Sequence, residues 1–242
     1  MKIDSIHPNY INKNFSFKSY SKSGKTENYE YFSTTEFFRL DMNWNSFANF
    51  INEKYADIQN VNIICHACSN GEEAYSLALK LISLFGVKAE KFFPIIAKDI
   101  DENNIHFAKK GEFNFRYDEL LRMENHCGLD LYKFIDVIKS RFGNYLQIKN
   151  FLKEKVIFKK ANILNDFDNI PAANTVLLCR NFWPYMPAQN QIELAEKLSN
   201  KLDNSSIVQI GNFDIAAGVD KLLQNKGFKE TYVKGLMKKV IL

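Results

Sequence analysis

The sequence predicts an α/β protein built on a mostly parallel β-sheet. From Val61 to the C-terminus, short apolar runs of strand length alternate with segments whose apolar residues recur every three or four positions. This alternation is typical of βαβ units, in which a helix carries the chain back to start the next parallel strand. The 242-residue chain has 46% hydrophobic and 25% charged residues, which fits a globular domain and is too apolar for a disordered chain.

The segment before the first strand divides into a polar arm and an amphipathic helix. Residues 1–30 are rich in Asn, Lys and Ser and show no sustained period, so we expect an arm with a flexible turn at 21–25. An aromatic cluster ending in Arg39 follows the arm. Apolar residues from Trp44 to Ile58 then recur at helical spacing and predict a helix.

The first half of the sheet is interrupted by an insertion. Buried strands are expected at 61–67 and 92–97, with a helix over 74–85 between them. A short helix through 105–110 ends at Gly111, a residue suited to a helix C-cap. Residues from about 114 to 155 break the pattern, and we interpret them as an inserted subdomain. Within it we expect a helical run over 131–138 and a small hairpin at 145–148.

Regular alternation resumes after the insertion. We expect helices over 189–202 and through 222–223, and strands at 156–159, 176–179, 207–210, 232–233 and 239–242. Since the last two strands are close in sequence, a hairpin with one antiparallel member should complete the sheet.

Composition excludes several classes of protein. Lys and Arg number 32 against 28 Asp and Glu, a surplus too small to indicate a nucleic-acid partner, and we expect none. No run of 18 apolar residues or N-terminal apolar segment occurs, so we expect no membrane insertion and a cytoplasmic protein. Cys65 and Cys68 have the spacing of a zinc or redox pair, but no second ligand pair accompanies them. We therefore expect reduced core thiols and no metal.

The turn after the first predicted strand is the first of three candidate site turns. Ligands of open parallel sheets bind at the carboxyl ends of the strands. Here the backbone of Ala67, Ser69 and Gly71 can approach a ligand closely, and the following helix N-terminus favours anionic groups. The single glycine disfavours a pyrophosphate-binding loop. Plain helix capping by Glu72 and Glu73 is the alternative interpretation.

Two further turns carry polar residues. Asp99 ends the next strand, where an acid commonly binds ribose hydroxyls, although Asp101 beside it is suited to capping the following helix. The third turn runs from Arg180 and Asn181 to Tyr185, and its residues either satisfy the sheet's end or line the cleft. A ribose-binding acid without a pyrophosphate loop indicates a nucleoside cofactor without phosphates, such as S-adenosylmethionine.

Taken together, these turns resemble the CheR family of chemotaxis-receptor glutamate methyltransferases. The resemblance implies a Rossmann-like class I methyltransferase domain over residues 31–242, with a seven-stranded, mostly parallel sheet in the order 3-2-1-4-5-7-6 and an inserted β-subdomain. The matching segments, in order, are TTEFFR (34–39), ACSNGEEAYSLA (67–78), AKDID (97–101), FKKANIL (158–164) and LLCRNFWPYM (177–186).

The resemblance also implies roles for individual residues. Glu73 binds the methionine end of S-adenosylmethionine, Asp99 binds its ribose, and S-adenosylhomocysteine is the product. Arg39 and Tyr185 are implied as the catalytic residues at the methyl group. The remaining implied cofactor contacts, besides Arg39 and the backbone of the first turn, are Thr35, Asn162, Ile163, Arg180 and Asn181.

This sequence departs from the family pattern at several positions. Ser33 replaces an Asn, Trp183-Pro184 replaces an apolar pair, and residues 211–214 replace a Gly-His-Ser turn. Few residues precede Thr35, so the family's N-terminal docking domain is not expected. Because these departures lie on the substrate side, they affect the acceptor more than the cofactor.

Three hypotheses on function follow. The first is an S-adenosylmethionine-dependent O-methyltransferase acting on glutamate carboxylates of a chemoreceptor-like protein. The second is a class I methyltransferase acting on a small molecule or RNA, which the missing docking domain would favour. The third is a non-catalytic cofactor-binding module. Presence of both Arg39 and Tyr185 favours an enzyme over the third.

Overall fold

A computed structural model describes residues 22–26, 29–32, 35–140 and 143–240 of the chain. Strands β1 (Lys22–Thr26) and β2 (Tyr29–Phe32) pair antiparallel. This ladder occupies most of the segment expected to be a flexible turn, and it crosses the expected end of the arm at residue 30. Ser33 and Thr34, like the first 21 residues, lie outside the described residues.

The other elements follow in chain order. They are α1 (Trp44–Lys54), β3 (Asn62–His66), α2 (Glu72–Phe85), β4 (Ile95–Asp99), α3 (Glu102–Lys110), β5 (Glu112–Asn114), α4 (Tyr117–Cys127), β6 (Ile135–Ser140), β7 (Gly143–Ile148), α5 (Asn150–Lys153), β8 (Val156–Lys160), β9 (Thr175–Cys179), α6 (Ala188–Lys201), β10 (Ile207–Gln209), α7 (Asn212–Ala216), α8 (Val219–Gln224), β11 (Phe228–Glu230) and β12 (Leu236–Lys239).

Seven strands form the central sheet in the order β11-β12-β10-β9-β3-β4-β8. Numbered along the chain and read from β8, this is the expected order 3-2-1-4-5-7-6. Strand β12 is antiparallel to both of its neighbours, and every other neighbouring pair is parallel. The α/β class, the class I methyltransferase topology and the antiparallel final hairpin are therefore confirmed.

Alternate residues of the central strands face two apolar cores. Ile63 and Cys65 of β3 pack with helices α1 and α2 on one face of the sheet. Ile64 of the same strand packs on the opposite face, where Leu194 and Leu198 of α6 lie. Burial on both faces explains why these strands read as continuous apolar runs in the sequence.

A separate three-stranded antiparallel sheet, in the order β5-β7-β6, occupies the region expected to hold the insertion. Residues 145–148, expected to form a small hairpin, all lie in strand β7, which pairs antiparallel with β6 in a larger hairpin. The helical run expected over 131–138 is wrong, because Ile135–Ser140 is strand β6 and a 3₁₀ turn precedes it. The branched residues Ile135, Val137 and Ile138 favour a strand, although their spacing also matches a helix.

Three strand predictions near chain turns were displaced, and the strand expected at 239–242 is β12 at Leu236–Lys239. The strand expected at 92–97 begins at Ile95, because Phe92 is fully buried in a 3₁₀ turn. The strand expected at 232–233 lies instead at Phe228–Glu230, and Tyr232 is 74% exposed in the connecting turn. A run of only two apolar residues is too short to show a period. Such a run therefore does not distinguish a strand from a buried turn.

The strand order brings four turns to one edge of the sheet. Strands β9, β3, β4 and β8 are consecutive and parallel, so their carboxyl ends lie side by side. In an open α/β sheet this edge is where ligands bind. Among the residues described, no helix is long and apolar enough to cross a membrane.

Candidate active site

An open cavity lies at the carboxyl ends of β3, β4, β8 and β9. Its space, the open solvent at its mouth included, is about 1030 Å³. The turn after each of these strands contributes to its wall, and so does the segment before α1. The predicted site residues that line it are Thr35, Arg39, Ala67, Ser69, Glu73, Asp99, Asn162, Ile163, Arg180, Asn181 and Tyr185.

Gly71 is the one predicted site residue that does not line the cavity. Its φ of +97° lies in the left-handed region, which glycine adopts without strain. A Cβ atom at this position would lie 2.8 Å from the Phe158 ring and 3.0 Å from Ala108 Cβ. Gly71 therefore permits the close packing of the α2 N-terminus against β8 and α3.

The turn between β3 and α2 lines the cavity with Ala67, Cys68 and Ser69. Ala67 and Ser69 both have φ values near +50°, and Cys68 donates its N–H to the Lys98 carbonyl oxygen over 3.0 Å. The Ser69 N–H points to Asp99 Oδ2 over 2.8 Å. This tight turn thus connects the ends of the two neighbouring strands.

Asp99 is held in place by three donors. Besides the Ser69 N–H, its carboxylate accepts hydrogen bonds from the Asp101 N–H over 2.9 Å and from Asn104 Nδ2 over 3.2 Å. Burial raises the pKa of Asp99 from its ordinary value, and these donors oppose that shift. A carboxylate has about four acceptor positions, so Asp99 can still accept from a hydroxyl in the cavity.

Asp101 has a separate role from Asp99. Its side chain accepts the Asn103 N–H over 2.8 Å and caps helix α3. The capping interpretation is therefore confirmed for Asp101, while Asp99 faces the cavity.

Arg180 lies at the end of β9 between two carboxylates. Its guanidinium donates to Asp41 Oδ1 over 2.7 Å and to Glu73 Oε2, and its side chain is 1% exposed. Burial opposes its charge, but Glu73 and Asp41 raise its pKa above the ordinary arginine value. Arg180 therefore shapes the cavity wall by fixing two acids.

Asn181 links three turns around the cavity. Its backbone has a φ of +59°, and its Nδ2 donates to Asp41 Oδ2 over 2.8 Å. Its Oδ1 accepts the Phe213 N–H over 3.2 Å, and its own N–H donates to Asp214 Oδ2 over 2.5 Å. The polar side of this wall is thus joined to the segment before α1 and to the turn after β10.

Arg39 and Tyr185 reach the cavity from opposite ends of the chain. The Arg39 carbonyl oxygen accepts the Trp44 indole N–H over 3.1 Å, and its Nε lies 3.6 Å from Asp41 Oδ1. The Arg39 side chain is 25% exposed, which leaves part of it accessible to a ligand. Tyr185 is the last residue of a 3₁₀ turn after β9, and its ring centroid lies 5.7 Å from that of Phe213.

The wall formed by the turn after β8 combines an amide with an apolar side chain. Asn162 Oδ1 accepts the Leu164 N–H over 3.0 Å, and Ile163 packs with the core on the α6 face of the sheet. Such a surface, apolar with a polar edge, is suited to a flat heteroaromatic ring.

A buried cluster of His66, Lys98 and Asp166 packs beneath the cavity and holds the turn after β8. His66 Nε2, which makes no hydrogen bond of ordinary geometry, lies 3.3 Å from Asp166 Oδ2, and Lys98 Nζ contacts the same oxygen. Burial lowers the pKa of His66. Although burial opposes ionisation of Asp166, its contacts with His66 and Lys98 lower its pKa. This cluster attaches the turn after β8 to β3 and β4.

Sequence reasoning missed three acidic residues of this region: Asp41, Asp166 and Asp214. Asp41 and Asp166 lie in irregular segments and Asp214 lies in the first turn of α7, all outside the segments that the motifs cover. Asp41 follows Arg39 by two positions, and Asp214 stands in the turn that departs from the family pattern, so proximity to a motif was the available signal.

The four cysteines are buried and unpaired. Burial raises the pKa of each thiol, which keeps the sulfur protonated and unreactive. Within the described part of the chain, no group of three or more His, Cys, Asp or Glu side chains is arranged to hold a metal ion.

Residues 33–231 match the family model described as "CheR methyltransferase, SAM binding domain". A chemotaxis protein methyltransferase of Borreliella burgdorferi is 26% identical over 191 residues, covering 76% of this chain and 65% of that protein.

Two other relatives are also chemotaxis protein methyltransferases. The Listeria monocytogenes protein is 26% identical over 60% of this chain and 50% of its own length. The Campylobacter jejuni protein is 28% identical over 64% of this chain and 55% of its own length. This chain thus spans about half to two thirds of the curated relatives that it matches.

Proposed function

Because the chain belongs to the CheR methyltransferase family, we propose that it transfers the methyl group of S-adenosylmethionine to glutamate carboxylates of a protein. The products are a glutamate methyl ester and S-adenosylhomocysteine. The acceptor that we propose is a chemoreceptor, since the matched relatives carry the name chemotaxis protein methyltransferase. The inserted subdomain, at about 114–155, belongs to the same catalytic unit in this proposal.

The observation that carries this proposal is the convergence of distant segments on one cavity. Arg39, Glu73, Asp99, Asn162 and Tyr185 come from five separate stretches of chain, and all five line it. A shared cavity is what a cofactor with an amino-acid end and a nucleoside end requires.

The chemistry of the side chains fits that cofactor. Asp99 retains acceptor capacity for ribose hydroxyls, and Ile163 with the Asn162 amide suits an adenine ring. Glu73 provides negative charge for an ammonium group, although one of its oxygens is engaged by Arg180. Arg39, partly exposed, can pair with a carboxylate.

When bound, S-adenosylmethionine supplies an electrophilic methyl group on a positively charged sulfur. The chain's own task is to align the acceptor carboxylate with that methyl group and to exclude water. We assign Arg39 the orientation of a carboxylate at the reaction centre and Tyr185 a hydrogen bond or a wall beside the methyl group.

The reaction needs no general base. A glutamate carboxylate is already ionised at neutral pH, because its ordinary pKa is near 4.3. His66, the imidazole that lines the cavity, is buried against Asp166 and Lys98, which suits a structural role better than proton transfer. Positioning alone is therefore sufficient chemistry for this cavity.

We place the reaction in the cytoplasm, since four free buried thiols fit a reducing compartment.

The test combines binding with transfer. Isothermal titration with S-adenosylhomocysteine should show one site per chain, and incubation with methyl-labelled cofactor and chemoreceptor-containing membranes should label protein. A base-labile label identifies carboxyl methyl esters and supports the proposal. A label in RNA or in small metabolites, or binding without any transfer, would contradict it.

A further inference from the structure

Asp214 lies outside the motifs of the family resemblance, yet it is bonded to the turn after β9, which forms part of the cavity wall. The residue is fully buried. Its Oδ2 accepts the N–H groups of Asn181 over 2.5 Å and Gly211 over 2.8 Å, and its Oδ1 accepts the Trp183 N–H over 3.2 Å.

These contacts exceed what a helix cap needs. The bond from the Gly211 N–H is local, since Asp214 lies in the first turn of α7. The bonds from Asn181 and Trp183 come from the turn after β9, more than 30 residues earlier in the chain. The carboxylate therefore holds one loop against another.

The turn after β9, which Asp214 holds in place, provides polar residues of the cavity wall. Asn181 has a φ of +59°, in the left-handed region that asparagine tolerates better than most residues, and its N–H is fixed in this conformation by Asp214. Trp183 begins the 3₁₀ turn that ends at Tyr185. Phe213, adjacent to Asp214, donates its N–H to Asn181 Oδ1 and packs against the Tyr185 ring.

We propose that Asp214 is a positioning residue for the cofactor cavity, holding the Asn181–Tyr185 turn in its ligand-binding conformation. The proposal rests on the proposed function, since it concerns the same cavity. It assigns no contact between Asp214 and a ligand. It predicts that the loss of the carboxylate's acceptor capacity weakens binding without removing any residue of the cavity wall.

The surroundings of Asp214 make its charge sensitive to pH. Its three hydrogen-bond donors are neutral N–H groups. The charged or titratable groups that interact with it are Arg180 and the Cys179 thiol of β9, with Asp41 on the far side of Asn181. Burial raises the pKa of Asp214 to about 6, against the opposing effect of the N–H donors and Arg180.

Protonation near pH 6 converts one acceptor oxygen into an O–H donor that faces N–H donors. The hydrogen bonds that hold the Asn181–Tyr185 turn to Asp214 are then weaker. Affinity for S-adenosylhomocysteine should therefore decrease as pH falls from 8 to 5. The carboxyl and amino groups of S-adenosylhomocysteine do not titrate between pH 5 and 8. The ordinary pKa of an α-carboxyl group lies near 3.5, and the α-amino group of this ligand is already protonated.

The experiment measures S-adenosylhomocysteine affinity by titration calorimetry between pH 5 and 8 for the parent chain and for Asp214→Asn. The matched control is Asp220→Asn, a carboxylate on the neighbouring helix α8 that does not line the cavity. We expect Asp214→Asn to bind about tenfold more weakly at pH 8 and to lose the decrease in affinity centred near pH 6. Asp220→Asn should match the parent.

Equal affinity and the same pH profile for the parent and Asp214→Asn would overturn the inference. If Asp214→Asn does not fold, the backbone amide resonances of Asn181 and Trp183 in the parent decide instead. They should titrate together with a midpoint near pH 6, in parallel with the loss of affinity, and amides that do not titrate would overturn the inference. A parent that binds no S-adenosylhomocysteine at pH 8 would contradict the proposed function and not this role of Asp214.

Discussion

The Arg180 guanidinium donates a hydrogen bond to Asp41 Oδ1 over 2.7 Å, although 139 residues separate the two in the chain. Arg180 ends a central strand, while Asp41 lies in the segment between Arg39 and helix α1. The pair therefore fastens the segment that carries Arg39 to the edge of the sheet where the cavity opens.

Removing the Asp41 carboxylate should destabilise the fold. Asp41→Ala should lower the free energy of unfolding by about 1–3 kcal/mol. The loss is smaller than for a buried charge that loses its only partner, because the buried Arg180 keeps Glu73 as a partner. Urea denaturation measures this. Asp130→Ala removes an exposed ion pair with Lys133 and should change stability little. Equal stability of both variants would show that the Asp41 bond contributes nothing.

Asp99→Ala should weaken S-adenosylhomocysteine binding by about 1.5–3 kcal/mol, because a carboxylate that accepts hydroxyl donors is lost. Glu73→Ala should have a similar effect, with an added contribution from the released Arg180. Titration calorimetry gives both values. The exposed Asp168, on the loop after β8, provides a control in Asp168→Ala. If both site variants bind as tightly as the parent, the cofactor does not occupy this cavity.

Tyr185→Phe separates transfer from binding. The change removes one hydroxyl and keeps the ring that packs on Phe213, so cofactor affinity should stay within about twofold of the parent. The turnover number at saturating cofactor should fall if the hydroxyl acts in the transition state. Arg39→Lys keeps the charge but loses the planar donor pair, and its turnover should fall as well. Unchanged turnover in both variants would remove these residues from the reaction centre.

Gly211 and Asn181 should show energetic coupling. A Cβ atom on Gly211 would lie 2.0 Å from Asn181 Oδ1, so Gly211→Ala must displace the Asn181 side chain from Phe213 and Asp41. We expect Gly211→Ala to destabilise the parent more than it destabilises Asn181→Ala, with a coupling energy above about 0.5 kcal/mol. A double-mutant cycle in urea measures it, and additive effects would contradict the contact.

Ionisation of the buried Glu72 carboxyl group should lower the free energy of unfolding as pH rises. Its side chain is buried beside Thr35 and Glu119 with one oxygen unpartnered, and burial raises its pKa to about 8. A folded-state pKa above the unfolded value gives stability that is complete below about pH 4.5 and is lost as pH rises through 8. Glu72→Gln should reduce the loss of unfolding free energy between pH 6 and 9 by at least about 1 kcal/mol. An unchanged pH dependence would show that Glu72 is ionised in the folded chain.

The sequence alone determined the strands that are buried on both faces. Ile63–Cys65 and Val176–Cys179 are continuous apolar runs because the sheet is covered by helices on each side, and such runs admit few other structures. It also located the turns of the cavity, since polar residues that directly follow a buried strand must lie at its carboxyl end. The order of the strands came from the family resemblance, because local patterns carry no information on which strands are neighbours.

Only the tertiary structure decided how the charges are shared. Arg180, expected to contact the cofactor, is engaged by Asp41 and Glu73, and Gly71 packs on Phe158 instead of the cavity. Asp41 and Asp166 lie in irregular segments and Asp214 in the short helix α7, where neither period nor spacing marks a partner. A periodic pattern reports which face of an element is buried, whereas the pairing of buried charges depends on distances between chain segments that only folding brings together.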